Sequence, residues 1–316
     1  MIGSSVYRRA VIEWRDALEL VLLPGLAALL PWRFCFPLFR RMARWQWLYR
    51  ESCETALEQA RARGWAGQDE AHWLWARRLV TLVDHADHYL GLTRGDSWMR
   101  RHLQVTGDWL PPGQAAVLCT FHWGAGLWGL RHAAASGLRP HALVAPVNPD
   151  AFVGRRVLYG YIRSRVHHVS TTLNSPALDV SVSLRPALRA LRRAEPIMAA
   201  VDVPSDQVSA STPITLLGMP ASVPRGLLRL AVDNGVPVQV YVTGLNTQTG
   251  ERFLRIKTLP TCTKVDDLVA MVFAELEVVI AEDAPAWHFW GIAERFFRSA
   301  AVVSAPPLAL DKLPEQ

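Results

Sequence analysis

From residue 115 onward, short apolar runs alternate with segments of helical periodicity. This alternation constrains the fold more than any other feature of the chain. The runs at 115–121, 141–146, 197–202 and 237–244 are compact and apolar, as buried strands are. Residues with apolar positions at helical spacing follow each of them, near 125–136, 152–164, 183–194 and 224–234. Strands that alternate with helices bury themselves best as a parallel sheet covered on both faces. The segments 214–222 and 251–259 add strand character, the second after the turn "NTQTG", and a last helix covers about 265–282. The expected fold class is therefore α/β, a mainly parallel central sheet flanked by helices.

The N-terminal third has a different texture. "ALELVLLPGLAALLPWRFCFPLF" (17–39) is apolar but is interrupted by Glu19, Arg33 and three prolines. A spanning helix needs about 20 uninterrupted apolar residues, and no small-residue cleavage site follows to suggest a signal peptide. Next comes "RRMARWQWLYR", in which Arg40, Arg41, Arg44 and Arg50 interleave with Trp45, Trp47 and Tyr49. Arginine beside such aromatics suits a segment lying at a lipid headgroup layer. A buried helical hairpin with solvated arginines is the competing reading. Residues 40–106 look helical, with a break near 63–70. The chain thus divides into a helical anchor and lid region (1–106), an α/β domain (107–300) and a loose, proline-rich tail (301–316). On that division, removal of residues 1–44 should leave the sheet folded.

Composition narrows the partners. The chain has 316 residues, half of them hydrophobic, and a net charge of +6 carried mostly by arginine. A basic balance suits nucleic acid, anionic lipid or a phosphorylated substrate. No RNA-binding signature, zinc-finger spacing or lysine-rich tail accompanies it, which argues against nucleic acid. The four cysteines, Cys35, Cys53, Cys119 and Cys262, are far apart and form no CxxC pair, so they are expected as reduced thiols.

Ligands of open α/β sheets collect at the carboxyl ends of strands, and three such ends carry polar candidates. In "TFHWGAGLWGL" (120–130), His122 sits between a strand and a helix, beside Gly124 and Gly126. A histidine there can act as a base while nearby backbone N–H groups hold an oxyanion; a purely structural histidine is the alternative. "APVNPD" supplies Asn148 and Asp150, followed by Arg155 and Arg156, which fit phosphate or a solvated surface equally well. "VDVPSDQ" supplies Asp202, Asp206 and Gln207.

Taken in order, "FHWGAGLWGL", "APVNPD", "AAVDVPSDQ…TPITLLGMPASVPRGLLRLAVDNGVPVQVYV" and "APAWHFWGIAERF" resemble the lysophospholipid acyltransferase superfamily, closest to the late acyltransferases of lipid A biosynthesis. The resemblance covers about 100–298 and includes a C-terminal tryptophan pair, here Trp287 and Trp290. It implies acyl transfer from an acyl carrier protein or acyl-CoA thioester to a hydroxyl or amine of a lipid-like acceptor. His122 would be the base, the Gly124–Gly126 backbone the oxyanion site, and Asn148, Arg155 and Arg156 substrate contacts. It also implies membrane lipids as partners, a place on the cytoplasmic face of the inner membrane, and no metal or resident organic cofactor.

One position departs from the pattern. The family places a carboxylate five residues after the histidine, where this chain has Leu127. Asp202 from a neighbouring strand end could orient His122 instead, or the histidine could act unassisted. Alternatively the fold is catalytically degenerate and serves as a lipid-binding or scaffold subunit. Two further histidine clusters have plain expectations. "DHADHYL" (84–90) puts Asp84, His85 and His88 on a helix, as a polar face rather than a metal site. "HH" at 167–168 is expected in a loop or at a strand edge.

Overall fold

The computed structural model describes residues 2–145 and 147–297, with side chains from residue 7. The expected tail at 301–316 lies outside the described residues. Among the described residues nine strands form: β1 (Leu103–Thr106), β2 (Val117–Thr120), β3 (His141–Val144), β4 (Leu178–Asp179), β5 (Ile197–Ala200), β6 (Ser211–Leu216), β7 (Met219–Pro224), β8 (Val238–Leu245) and β9 (Arg252–Thr258). Seven of them make one sheet in the order β1-β9-β8-β2-β5-β3-β4, while β6 and β7 form a separate antiparallel hairpin. Every neighbouring pair in the large sheet is parallel except β8 with β9. The fold is α/β with a mostly parallel mixed sheet flanked by helices. β2 lies near the centre, buried along its apolar run, and β8 beside it is buried at every position, as strands covered on both faces are.

Eleven α-helices accompany the strands among the described residues. Six precede the sheet's centre: α1 (Ile2–Ala17), α2 (Leu23–Leu29), α3 (Trp32–Met42), α4 (Arg50–Arg61), α5 (Glu70–Thr93) and α6 (Asp96–His102). Five follow: α7 (Leu127–Ala135), α8 (Arg156–Leu173), α9 (Arg185–Arg192), α10 (Gly226–Asp233) and α11 (Val265–Glu282). The break expected near 63–70 falls between α4 and α5, where Asp69 caps α5 by accepting the His72 N–H at 2.9 Å.

Three expectations need revision. β1 lies inside the stretch expected to be helical; only Leu103 of its four residues is buried, so no alternation marked it. α8 runs on through 167–168, so these histidines are helical and not in a loop. His168 is buried against α5, over Gly91, where a Cβ would come within 2.4 Å of the ring. The polar face at 84–88 is not solvated: it forms a buried seam with α8. Asp84 accepts Arg165 at 2.7 Å, His85 meets the Tyr161 hydroxyl at 2.7 Å, and His88 meets Ser164 at 3.0 Å. Among the described residues, no cluster of three or more potential ligands could hold a metal ion.

The apolar stretch 17–39 becomes a π-helical turn, α2 and α3, broken at Leu30–Pro31. No described helix is long and apolar enough to cross a membrane. Its inner face instead joins the core: Ala27, Cys35 and Phe39 are fully buried, with Trp32 and Phe36 close behind. Trp32 donates to the Gly250 carbonyl at 3.0 Å, in the turn between β8 and β9, and the Arg252 guanidinium lies 4.0 Å above its ring. Arg252 and Asp87, both fully buried, form an ion pair beneath it. One hydrophobic cluster runs from Ala27 to Phe297. α2 and α3 thus supply part of the core that the sheet shares.

Candidate active site

β2 ends at Thr120 and β5 at Ala200, and these two residues are register partners in a parallel pair. The pairing continues one residue on, with the Val201 N–H donating to the Thr120 carbonyl at 2.9 Å. Two residues past each strand, His122 and Asp202 therefore stand level with each other. His122 Nδ1 lies 2.9 Å from Asp202 Oδ1. The His122 backbone N–H also donates to both carboxylate oxygens, at 3.0 and 2.9 Å, and Trp287 Nε1 donates to Oδ2 at 3.0 Å. Asp202 is completely buried. It fixes the tautomer with the proton on Nδ1 and leaves Nε2 as the free lone pair. The His122 side chain is 39% exposed, and one ring face stacks on Phe289 at a centroid distance of 4.1 Å.

The loop that carries His122 is fastened to the segment carrying Trp287. The His288 N–H donates to the His122 carbonyl at 2.7 Å, and the Gly124 N–H donates to the Ala286 carbonyl at 3.0 Å. His288 Nε2 lies 2.7 Å from the Gly124 carbonyl; burial and nearby Arg77 push its pKa down to about 4, so the neutral ring donates there. Gly124 has φ +69°, and a Cβ at this position would lie 2.2 Å from the Thr243 carbonyl oxygen; only glycine fits. From α5, Arg77 donates to the carbonyls of Pro285, Trp287 and His288 at 3.0, 2.9 and 3.1 Å.

This bracing revises the expected oxyanion site. The Gly124 N–H goes to Ala286, and the Ala125 N–H goes to the Thr243 carbonyl at 2.9 Å. What remains is the Gly126 N–H and the amides of Leu127 and Trp128 at the start of α7, which have no intrahelical acceptor; the Gly129 N–H is taken by the Gly126 carbonyl at 3.2 Å. Leu127 is the first residue of α7 and packs partly buried against the core.

The other expected contacts have different partners. The Asn148 side chain caps a short 3₁₀ turn by accepting the Asp150 N–H at 3.0 Å. Arg155 makes a two-pronged pair with Asp16 of α1, at 2.9 and 2.6 Å. The Arg156 N–H donates to Glu13 of α1. Carboxylates from α1 thus complement the positive N-terminal end of α8, and Arg155 tethers the two helices. Asp206 pairs with Arg295 at 2.8 Å. Trp290 is buried edge-to-face against Trp287, whereas Phe289, His288 and Arg77 carried no sequence signal of a site. Two sizeable cavities, of about 590 and 660 Å³, are lined by neither His122 nor Asp202.

Comparison with models of protein families and with curated proteins finds no match for this chain.

Proposed function

We propose that the chain is a membrane-associated acyltransferase with a histidine–aspartate pair as its base. The observation that carries this reading is His122, held by buried Asp202 through Nδ1 at the carboxyl end of a parallel sheet, with its ring partly open to solvent. Nε2 takes the proton from an acceptor hydroxyl or amine as that group attacks the carbonyl of an acyl carrier protein or acyl-CoA thioester. The tetrahedral oxyanion lies against the Gly126 N–H and the first turn of α7. It collapses with cleavage of the C–S bond, and the leaving thiolate takes the proton back from His122. Asp202 stabilises the transient imidazolium, which is the service a carboxylate at position 127 performs in the family this sequence resembles. Membrane association is supported by large apolar side chains left exposed on one run of α1, Tyr7, Val11 and Trp14, and nearby by Leu29 and Phe34.

A second reading, a degenerate lipid-binding or scaffold subunit, is favoured by Leu127 and by the engagement of the Gly124 and Ala125 amides. Mass spectrometry of lipids and small metabolites from cells with and without the gene separates the two. A product that gains an acyl group supports the enzyme. An unchanged profile, with a protein partner that co-purifies, supports the scaffold.

A further inference from the structure

Beside α3, α4 and α5, away from His122, an open cavity of about 660 Å³ gathers Arg40, Arg44, Arg50 and Arg78. Two carboxylates border it, and both are engaged. Glu54 pairs with Arg50 at 3.0 Å, and Asp69 accepts the His72 N–H. Arg40, Arg44 and Arg78 have no carboxylate partner among the described residues. Arg78 is the decisive one. It is only 5% exposed, its Nε is buried with no hydrogen-bond partner, and among the described residues its guanidinium makes no hydrogen bond or ion pair. Its neighbour Arg77 is equally buried and its Nε is likewise unpartnered, but its terminal nitrogens satisfy three carbonyls, which is what those of Arg78 lack. The Arg40 Nε is also buried without a partner; its terminal nitrogen reaches Gln248 at 3.0 Å.

An arginine buried this far, with its terminal nitrogens facing a cavity and no acceptor, gains from an anion that completes it, and the planar fork of arginine matches phosphate oxygens in pairs. We propose that this cavity is a binding site for a phosphate group, completed by Arg78 at its base and by Arg40 and Arg44 at its mouth. Beside Arg44, the stacked and partly exposed rings of Trp45 and Trp47 form an aromatic ledge. A phosphate attached to an apolar chain fits that ledge. The site is independent of acyl transfer, since none of its residues touches His122 or Asp202.

The test is calorimetric titration of the full chain in neutral detergent with two probes, inorganic pyrophosphate and dihexanoyl phosphatidic acid; dihexanoyl phosphatidylcholine serves as the zwitterionic control. Saturable binding of at least one anionic probe is expected, at least tenfold weaker in Arg78→Met and unchanged in His122→Ala. Comparable binding of both probes assigns a bare phosphate, whereas preference for phosphatidic acid assigns a lipid headgroup. If Arg78→Met fails to fold, the double variant Arg40→Gln and Arg44→Gln, at half-buried and exposed positions, decides by the same criterion. No saturable binding of either anion, or undiminished binding in a folded variant, overturns the site. Because binding needs no turnover, its loss would leave the acyltransferase reading untouched, and the converse holds as well.

Discussion

Asp202 is the residue on which the chemistry turns. Its carboxylate accepts from the His122 ring, the His122 backbone and the Trp287 indole, so it is both a structural anchor and a tautomer switch. Asp202→Asn keeps the shape and removes the charge. Turnover should fall at least about tenfold, roughly 1.4 kcal/mol of transition-state stabilisation; loss of the equivalent charge in serine proteases costs about 10⁴. Thermal unfolding should report a loss of about 1–3 kcal/mol, from buried donors left without their acceptor. Wild-type turnover in Asp202→Asn would remove the surrogate acid from the account. The pairing was legible in the sequence, because two parallel strands that end in His and Asp at equal offsets present them together. The roles of Arg155 and Arg156 were not: their partners, Asp16 and Glu13, lie about 140 residues earlier on a helix whose docking no local pattern records.

At the scale of elements, α5 joins the N-terminal helices to the reactive loop. Arg77 alone fixes three consecutive-region carbonyls of the segment holding Trp287 and Phe289. Arg77→Met should leave those acceptors unpaired and destabilise the fold by about 1–3 kcal/mol. It should also quicken amide exchange around 286–290 more than in β8. Uniform exchange across both regions would mean that Arg77 is not the clamp. Helices and central strands were readable because their burial follows a period. β1 escaped because an edge strand with one buried residue has none. The histidines at 167–168 escaped because polar residues look like solvent-facing ones until the opposing helix is known. The seam between α5 and α8 has a consequence for acid stability. Burial pushes the pKa of His85 down to about 3 and that of His88 down to about 4, as it does for His288. These rings stay neutral when folded but bind protons when unfolded at any pH below about 6.5, so their contribution is complete above that pH and is lost as the pH falls toward 4. Asp283, raised to about 6 by burial, works in the opposite direction with Glu19 and Asp87, also raised by burial, while His102, His132 and His168, lowered by burial, add to the histidine side. The Tm should therefore drop between pH 7 and pH 5. A flat or rising Tm would contradict the buried, neutral seam.

For the whole molecule, one hydrophobic cluster among the described residues joins the N-terminal helices to the sheet. Trp32, Phe36 and Phe39 are buried against the body of the protein, and each is worth about 1.5–3 kcal/mol. That sum is a large share of the roughly 5–15 kcal/mol that holds a domain folded. Deletion of residues 1–44 should therefore yield aggregated or molten protein rather than a soluble sheet. A cooperative melt from the truncated chain would refute this. The membrane claim is better tested by changing only the exposed stripe. Tyr7→Ser, Val11→Ser and Trp14→Ser combined should preserve the melt while reducing co-flotation with anionic liposomes several-fold. Undiminished flotation would move the contact elsewhere. The apolar character of 17–39 was plain from the sequence, but whether it faces lipid or core depends on what packs against it.

The most direct test of the central claim is thiol release from acyl-carrier-protein and acyl-CoA thioesters by the purified full-length protein, with extracted lipid as acceptor, compared with His122→Ala. The wild type should release thiol only when acceptor is present and yield one acylated product, while folded His122→Ala shows no release above background. Equal release by the two proteins, or none from a folded wild type with either donor, would contradict it.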